Sequence, residues 1–135
     1  MALQYSTTHR NNAMNDLTTQ VGTSGVLKIW TGTAPATCAT ADTGTLLATL
    51  TCSASAFAAA ASGGVLTLNA ITSASAAATG TAGYFRIYPS AATSTNAVVQ
   101  GTCGTSGADL NLNSTSITSG VTVSVTSWTI TAFGA

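Results

Sequence analysis

Glutamate is absent from this chain, and only 4% of its 135 residues are charged, against ~25% in ordinary globular proteins. The whole charged set is Arg10, Asp16, Lys28, Asp42, Arg86 and Asp109. Between Asp42 and Arg86 no side chain carries a charge. Three scattered cations cannot form the basic patch that nucleic-acid binding requires. Three separated carboxylates are too few for an oxygen-rich calcium or dinuclear site. The single histidine, His9, lies beside Arg10 on a polar segment. General acid–base catalysis therefore lacks a partnered imidazole or a carboxylate pair. No Gly-x-Ser-x-Gly elbow marks a nucleophile. Cys38, Cys52 and Cys103 include no CxxC pair, and one histidine does not complete a usual zinc set. The thiols read as small buried apolar groups, with a disulfide between two of them as the alternative. The expectation is a non-enzymatic chain with no cofactor and no metal.

What is present is small and weakly polar. Leu, Ile, Val and Phe make up 26 of 135 residues, close to the lower limit for a core. Disorder from weak hydrophobicity usually accompanies high net charge, and here the net charge is zero. Ala, Thr, Ser and Gly fill the remainder, so a thin β-rich domain with small-residue packing is expected. Zero net charge also removes colloidal repulsion and favours self-association. The window Leu46–Leu66 is uncharged and long enough to cross a bilayer. Ser, Thr and the pair Gly63-Gly64 interrupt it, and no membrane span is expected. No apolar run follows a basic start at the N-terminus, so no secretory signal is predicted and synthesis in the cytoplasm is expected.

Residues 1–24 read as an N-terminal helix or arm. Ser6, Thr7 or Thr8 can cap it, Ala13, Met14, Leu17 and Val21 form one stripe, and Gly22 and Gly25 end it. Residues 25–135 read as the β domain. Strands are predicted over 26–30, 45–52, 65–71, 81–89, 97–103, 108–113 and 121–133, with 81–88 and 97–103 forming a hairpin. The Ala-rich stretch 53–64 reads as a loop with one helical turn at most. Short strands divided by Gly/Ser/Thr turns argue for an all-β fold, an antiparallel β-sandwich or jelly roll. Thr-Gly-Thr recurs at 31–33, 43–45 and 79–81, which is read as shared turn chemistry. In the last strand Val121, Val123 and Val125 are odd, whereas Trp128 and Ile130 are even. A bulge near Thr126-Ser127, or a switch of buried face, must reconcile them.

In 81–89, Phe85 and Ile87 share one face, opposite Tyr84, Arg86 and Tyr88. Arg86, on an outward face, is expected to pair with Asp42 or Asp109 or to stack on a tyrosine. That makes it the leading interface anchor. Tyr84, Tyr88, Trp30 and Trp128 complete the interface candidates. Asp42 and Asp109 lie beside turn residues, where Asp commonly accepts from nearby backbone amides. "GTCGTSG" (101–107) is glycine-rich but lacks the Lys-Ser/Thr pair of a phosphate cradle and reads as a turn.

The blocks "LKIWTGTAPA", "LLATLTCSASAF", "GVLTLNAI", "TGTAGYFRIY" and "GTSGADLNLNSTSITSGVTVSVTSWTIT" resemble a family of small virion proteins of tailed bacteriophages. The likeness covers residues 26–131 in order, and "FRIY" and "GTSGADLNLN" are its most specific pieces. It implies a capsid decoration, or cement, protein on the capsid exterior, with a jelly-roll or sandwich module bridging subunits of the major capsid protein. It implies a homo-oligomer on the shell, and it carries no catalytic residues. Cys38, Cys52 and Cys103 stand where Ser, Thr or Val is expected. Two other readings are a tail-tube or fibre subunit, and a carbohydrate-binding β-sandwich using Trp30, Trp128 and the tyrosines as sugar platforms.

Overall fold

A computed structural model describes residues 2–58, 61–132 and 134. Helix α1 (Thr7–Val21) starts where Ser6 accepts a hydrogen bond from the His9 N–H at 3.2 Å. It stops at Gly22, whose φ of 68° is open to glycine and whose N–H donates to the Thr18 carbonyl. Val21 enters the core, and Met14 and Leu17 pack against its edge. The helix is otherwise held by polar groups. Asn11 accepts from the Gly64 N–H and Asn15 from the Ala61 N–H, each at 2.7 Å. Those asparagines are four residues apart and so lie on one face. Helix α1 is thus docked on the β body of its own chain.

Among the described residues eleven strands follow: β1 (Val26–Thr31), β2 (Leu46–Thr51), β3 (Val65–Thr67), β4 (Ala74–Ser75), β5 (Gly80–Tyr88), β6 (Val99–Gly104), β7 (Leu110–Leu112), β8 (Ser116–Ile117), β9 (Thr122–Val123), β10 (Val125–Ser127) and β11 (Thr129–Thr131). The β-rich class stands. The strands form one large curled sheet, ordered β10-β7-β6-β5-β1-β2 with β8 also on β5, and two ribbons, β11-β3 and β4-β9. This differs from the pair of facing antiparallel sheets that strand spacing suggested. It also includes a parallel pair, Cys103↔Leu110 and Gly104↔Asn111. Spacing reports how often the chain turns, not which edges meet. Here Gly107, at φ 68°, turns the connection back on itself. Asp109 Oδ2 ties it down by accepting from the Thr102 N–H and hydroxyl, both at 2.8 Å. The predicted hairpin of β5 with β6 forms, with Tyr84 opposite Thr102 and Ile87 opposite Val99. In the 53–64 stretch Phe57 bridges to Leu68, while residues 59 and 60 lie outside the described residues.

The core face follows from register. Leu50, Leu27, Ile87 and Val99 stand in one cross-strand row, and Ala48, Ile29, Phe85 and Gly101 in the next. Trp128 closes this face. Its ring lies 5.4 Å from Phe57 and 4.9 Å from Phe85, nearly edge-on to the latter. Such tilted pairs are favoured by the ring quadrupoles. Trp128 reaches this place because the β10–β7 register shifts between Val125 and Ser127, at the phase break read from the sequence. The chain also changes partner there, from β7 to β3. The register shift is the bulge invoked for the odd and even sets.

The three Thr-Gly-Thr tripeptides meet at one end of the sheet. The Thr31 N–H donates to the Thr45 carbonyl at 3.0 Å, and the Thr45 N–H to Thr31 Oγ1 at 2.8 Å. A methyl built on Gly80 would stand 2.8 Å from Thr31 Cγ2. Beside them β1 bulges between Trp30 and Thr31 against β5, and a methyl on Gly83 would run into the Gly32 carbonyl. Gly83→Ala is therefore expected to lower the denaturant midpoint well beyond Gly107→Ala. The latter has open space around it and meets only left-handed strain of about 1–2 kcal/mol. Urea unfolding of both variants checks the order.

Candidate functional site

The face of the sheet opposite the core carries most of the polar chemistry. Its central row reads Thr49, Lys28, Arg86, Gln100. Two cations directly across a strand pair repel each other, so each needs a partner. Lys28 Nζ lies 5.2 Å from the centroid of the Tyr88 ring, a cation–π contact. Arg86 has no exposed surface at all.

Five hydrogen bonds surround the Arg86 guanidinium. Nε donates to Gln100 Oε1 at 3.0 Å, and Nη2 to the Thr37 carbonyl at 2.9 Å. Nη1 reaches the Thr40 carbonyl and Asp42 Oδ1, both at 2.8 Å, and the Ser94 carbonyl at 3.2 Å. The Tyr88 hydroxyl also donates to Asp42 Oδ1. The Tyr84 hydroxyl donates to the Thr43 carbonyl at 2.6 Å and accepts from the Thr43 N–H at 3.1 Å. Gln100 Nε2 donates to the Pro35 carbonyl at 2.7 Å. Side chains on β5 and β6 thus hold the 32–45 loop and the 89–98 loop down over the sheet. A planar fork with several donors suits this task better than an ammonium. Asn96 knits the second loop by accepting from the Thr93 N–H and donating to the Ala91 carbonyl.

This corrects the expected outward position of Arg86. The alternation was read properly, and Asp42 is its partner, but the opposite face is roofed by loops instead of open to solvent. Tyr84, Tyr88 and Trp128 are buried as well. Trp30 is half-buried and stacks on Tyr84 at 6.3 Å. Its indole N–H is buried without a partner among the described residues. Arg86, Tyr84, Tyr88 and Trp30 come together in one cluster, and Trp128 belongs to the other face. Asp42 serves Arg86 and Tyr88, not the neighbouring amides expected of a turn aspartate. Sequence reasoning missed Gln100, and also Asn11 and Asn15, whose spacing on a helix was a readable signal.

The other chemical groups are dispersed. His9 stacks on Tyr5 at 4.9 Å between ring centres. The three thiols are free. Burial pushes the Cys52 thiol up to about 11, and burial with the nearby Asp109 charge pushes Cys103 up to about 12. Both stay protonated at neutral pH and are therefore poor nucleophiles. Burial, followed by the Asp42 contact, raises the Tyr88 phenol. Among the described residues no three of His, Cys, Asp and Glu gather as a metal site, and no helix is long and apolar enough to cross a membrane. Among the described residues the exposed large apolar side chains are Leu3, Tyr5 and Val121. Comparison of the chain with known protein families, curated proteins and solved structures gives no match.

Removing one member of a buried ion pair strands the other charge, at a cost of about 3–5 kcal/mol. Arg86→Met is expected to destabilise on that scale, with Arg86→Met/Asp42→Asn recovering part of the loss in a double-mutant denaturation cycle. His9→Ala, at an exposed position, is expected to change little.

Alkali should act through the thiols. Their folded pKa values lie above the ordinary 9.0, so above pH 9 the unfolded chain releases protons first and draws the equilibrium towards itself. Stability is expected to be level in these groups below about pH 9 and to fall between pH 9 and 12. Cys52→Ala should shallow the fall through about 11, as read by thermal melts across that range.

Proposed function

We propose that the chain is a structural virion protein that decorates and stabilises a tailed-phage capsid by bridging subunits of the major capsid protein. The carrying observation is the disposition of charge. Arg86 and Asp42 pair inside the fold, Lys28 lies over a tyrosine ring, and Asp109 binds Thr102. The exterior of the β body is mostly Ser, Thr, Ala and Gly, with Asp109 and Val121 among the exceptions. A surface of that kind adheres by shape, desolvation and backbone hydrogen bonds rather than by Coulomb attraction. The resemblance of residues 26–131 to small phage virion proteins supports the same reading. The curled sheet with its two ribbons is then a variant of the sandwich or jelly-roll module expected of such proteins.

In this role the protein is made in the host cytoplasm and resides on the capsid exterior. It needs no catalytic residue, cofactor, nucleic acid or membrane. Each copy touching two capsid subunits gains effective concentration, so weak single contacts hold. Binding only the assembled shell stabilises that shell by mass action. The carbohydrate-binding alternative needs exposed aromatic platforms, whereas Trp128, Tyr84 and Tyr88 are buried and Trp30 is stacked against Tyr84.

Attachment to purified heads is expected to survive about 1 M salt, where the screening length is ~3 Å, and to weaken in mild detergent. Release by salt with retention in detergent would falsify the apolar-contact account. Location of the protein on tails instead of heads by electron microscopy would assign it to another part of the particle.

A further inference from the structure

The ribbon β11-β3 leaves one strand edge open. The Leu68 N–H donates to the Trp128 carbonyl and the Ala132 N–H to the Gly64 carbonyl, so even-numbered positions face β3. By the alternation of antiparallel ladders, the N–H and C=O of Thr129 and Thr131 point the other way. Among the described residues no strand pairs with that edge. It borders a cleft of ≈ 260 Å³ whose lining includes Phe85, Val99, Trp128 and Asp109. Asp109 is exposed, and its bonds to Thr102 use Oδ2.

The N-terminal arm has the complementary character. Residues 2–5 are uncharged and outside helix α1; the Tyr5 N–H donates to the Gly134 carbonyl of its own chain at 2.8 Å, which anchors the arm's base and leaves residues 2–4 ahead of it. Leu3 is 75% exposed and Tyr5 39%, at positions two apart that share one side of an extended chain. The arm leads into helix α1, where Arg10 is opposite in sign to the aspartate at the cleft.

We propose that the arm of one copy adds as a strand to the open β11 edge of a second copy, with Leu3 entering the cleft. This is strand augmentation, with backbone bonds giving affinity and an apolar anchor giving register. Arm and cleft are different patches, so the contact is heterologous and propagates head to tail until a ring closes. An arm this short buries much less than the ~1,600 Å² of a standard interface, so free copies associate weakly and a crowded surface strengthens the contact. The contact belongs to the free chain, and its test needs no capsid.

Sedimentation equilibrium of the full chain up to about 1 mM is expected to show reversible self-association. Leu3→Asp removes the anchor. Thr129→Lys places a charge on the open edge, which natural edges use to refuse a strand. Both sites are exposed, and thermal melts matching the parent confirm folding. Each variant alone is expected to be monomeric. A 1:1 mixture is expected to form a dimer that grows no further, because one partner keeps the cleft and the other the arm. A monomeric parent at about 1 mM, self-association that survives Leu3→Asp, or a mixture that stays monomeric would each overturn the proposal.

Discussion

A guanidinium stripped of water must be richly supplied with acceptors, and here all three Arg86 nitrogens find them, four of the five acceptors lying in two loops over the sheet. Thr37 and Thr40 lie in one loop and Ser94 in the other, and all three accept through backbone carbonyls. Apart from Val98, which packs against the core, the two loops carry mostly small side chains. Asp42 supplies the compensating charge, Tyr88 shares its oxygen, and Gln100 joins the sheet to Pro35. The order of the whole roof over one sheet face follows from a single buried cation and its partners.

The other face is held by fit. Apolar rows from β1, β2 and β5 meet Phe57, Leu66 and Trp128, and the aromatic contacts of Trp128 couple the small ribbon to the large sheet. With so few large residues, close backbone approaches at Gly25, Gly44 and Gly83 replace side-chain packing. These two solutions, polar on one face and apolar on the other, place the Arg86–Asp42 pair and most of the chain's bulk internally.

Much of this was legible beforehand. The cap at Ser6, the stop at Gly22, the alternation within β1 and β5 and the phase break near Thr126-Ser127 are local, and local sterics dictate them. The Arg86–Asp42 pair was foreseen as one of several options because the charged set is so small. The burial of that pair was not legible. Alternation says that Tyr84, Arg86 and Tyr88 share a face, but it is silent on whether loops of Thr, Ala and Ser will cover it. The two-residue strands β4 and β8 and the parallel β6–β7 pair were equally invisible, since their partners are remote and their side chains small. The Leu3–Tyr5 alternation was present in the sequence, yet it gained meaning only beside the open edge of β11.

The sequence by itself determined the helix, the longer strands with their alternating faces, and the scarcity of ionic chemistry, because helix caps, two-residue periodicity and composition act over a few neighbouring residues. Tertiary structure alone decided which face became a second interior, which of three aspartates met Arg86, and which strand edge stayed unpaired. Those outcomes depend on loops closing across 44 residues, as from Asp42 to Arg86. Desolvation, which makes such a contact matter, exists only once the chain has folded around it.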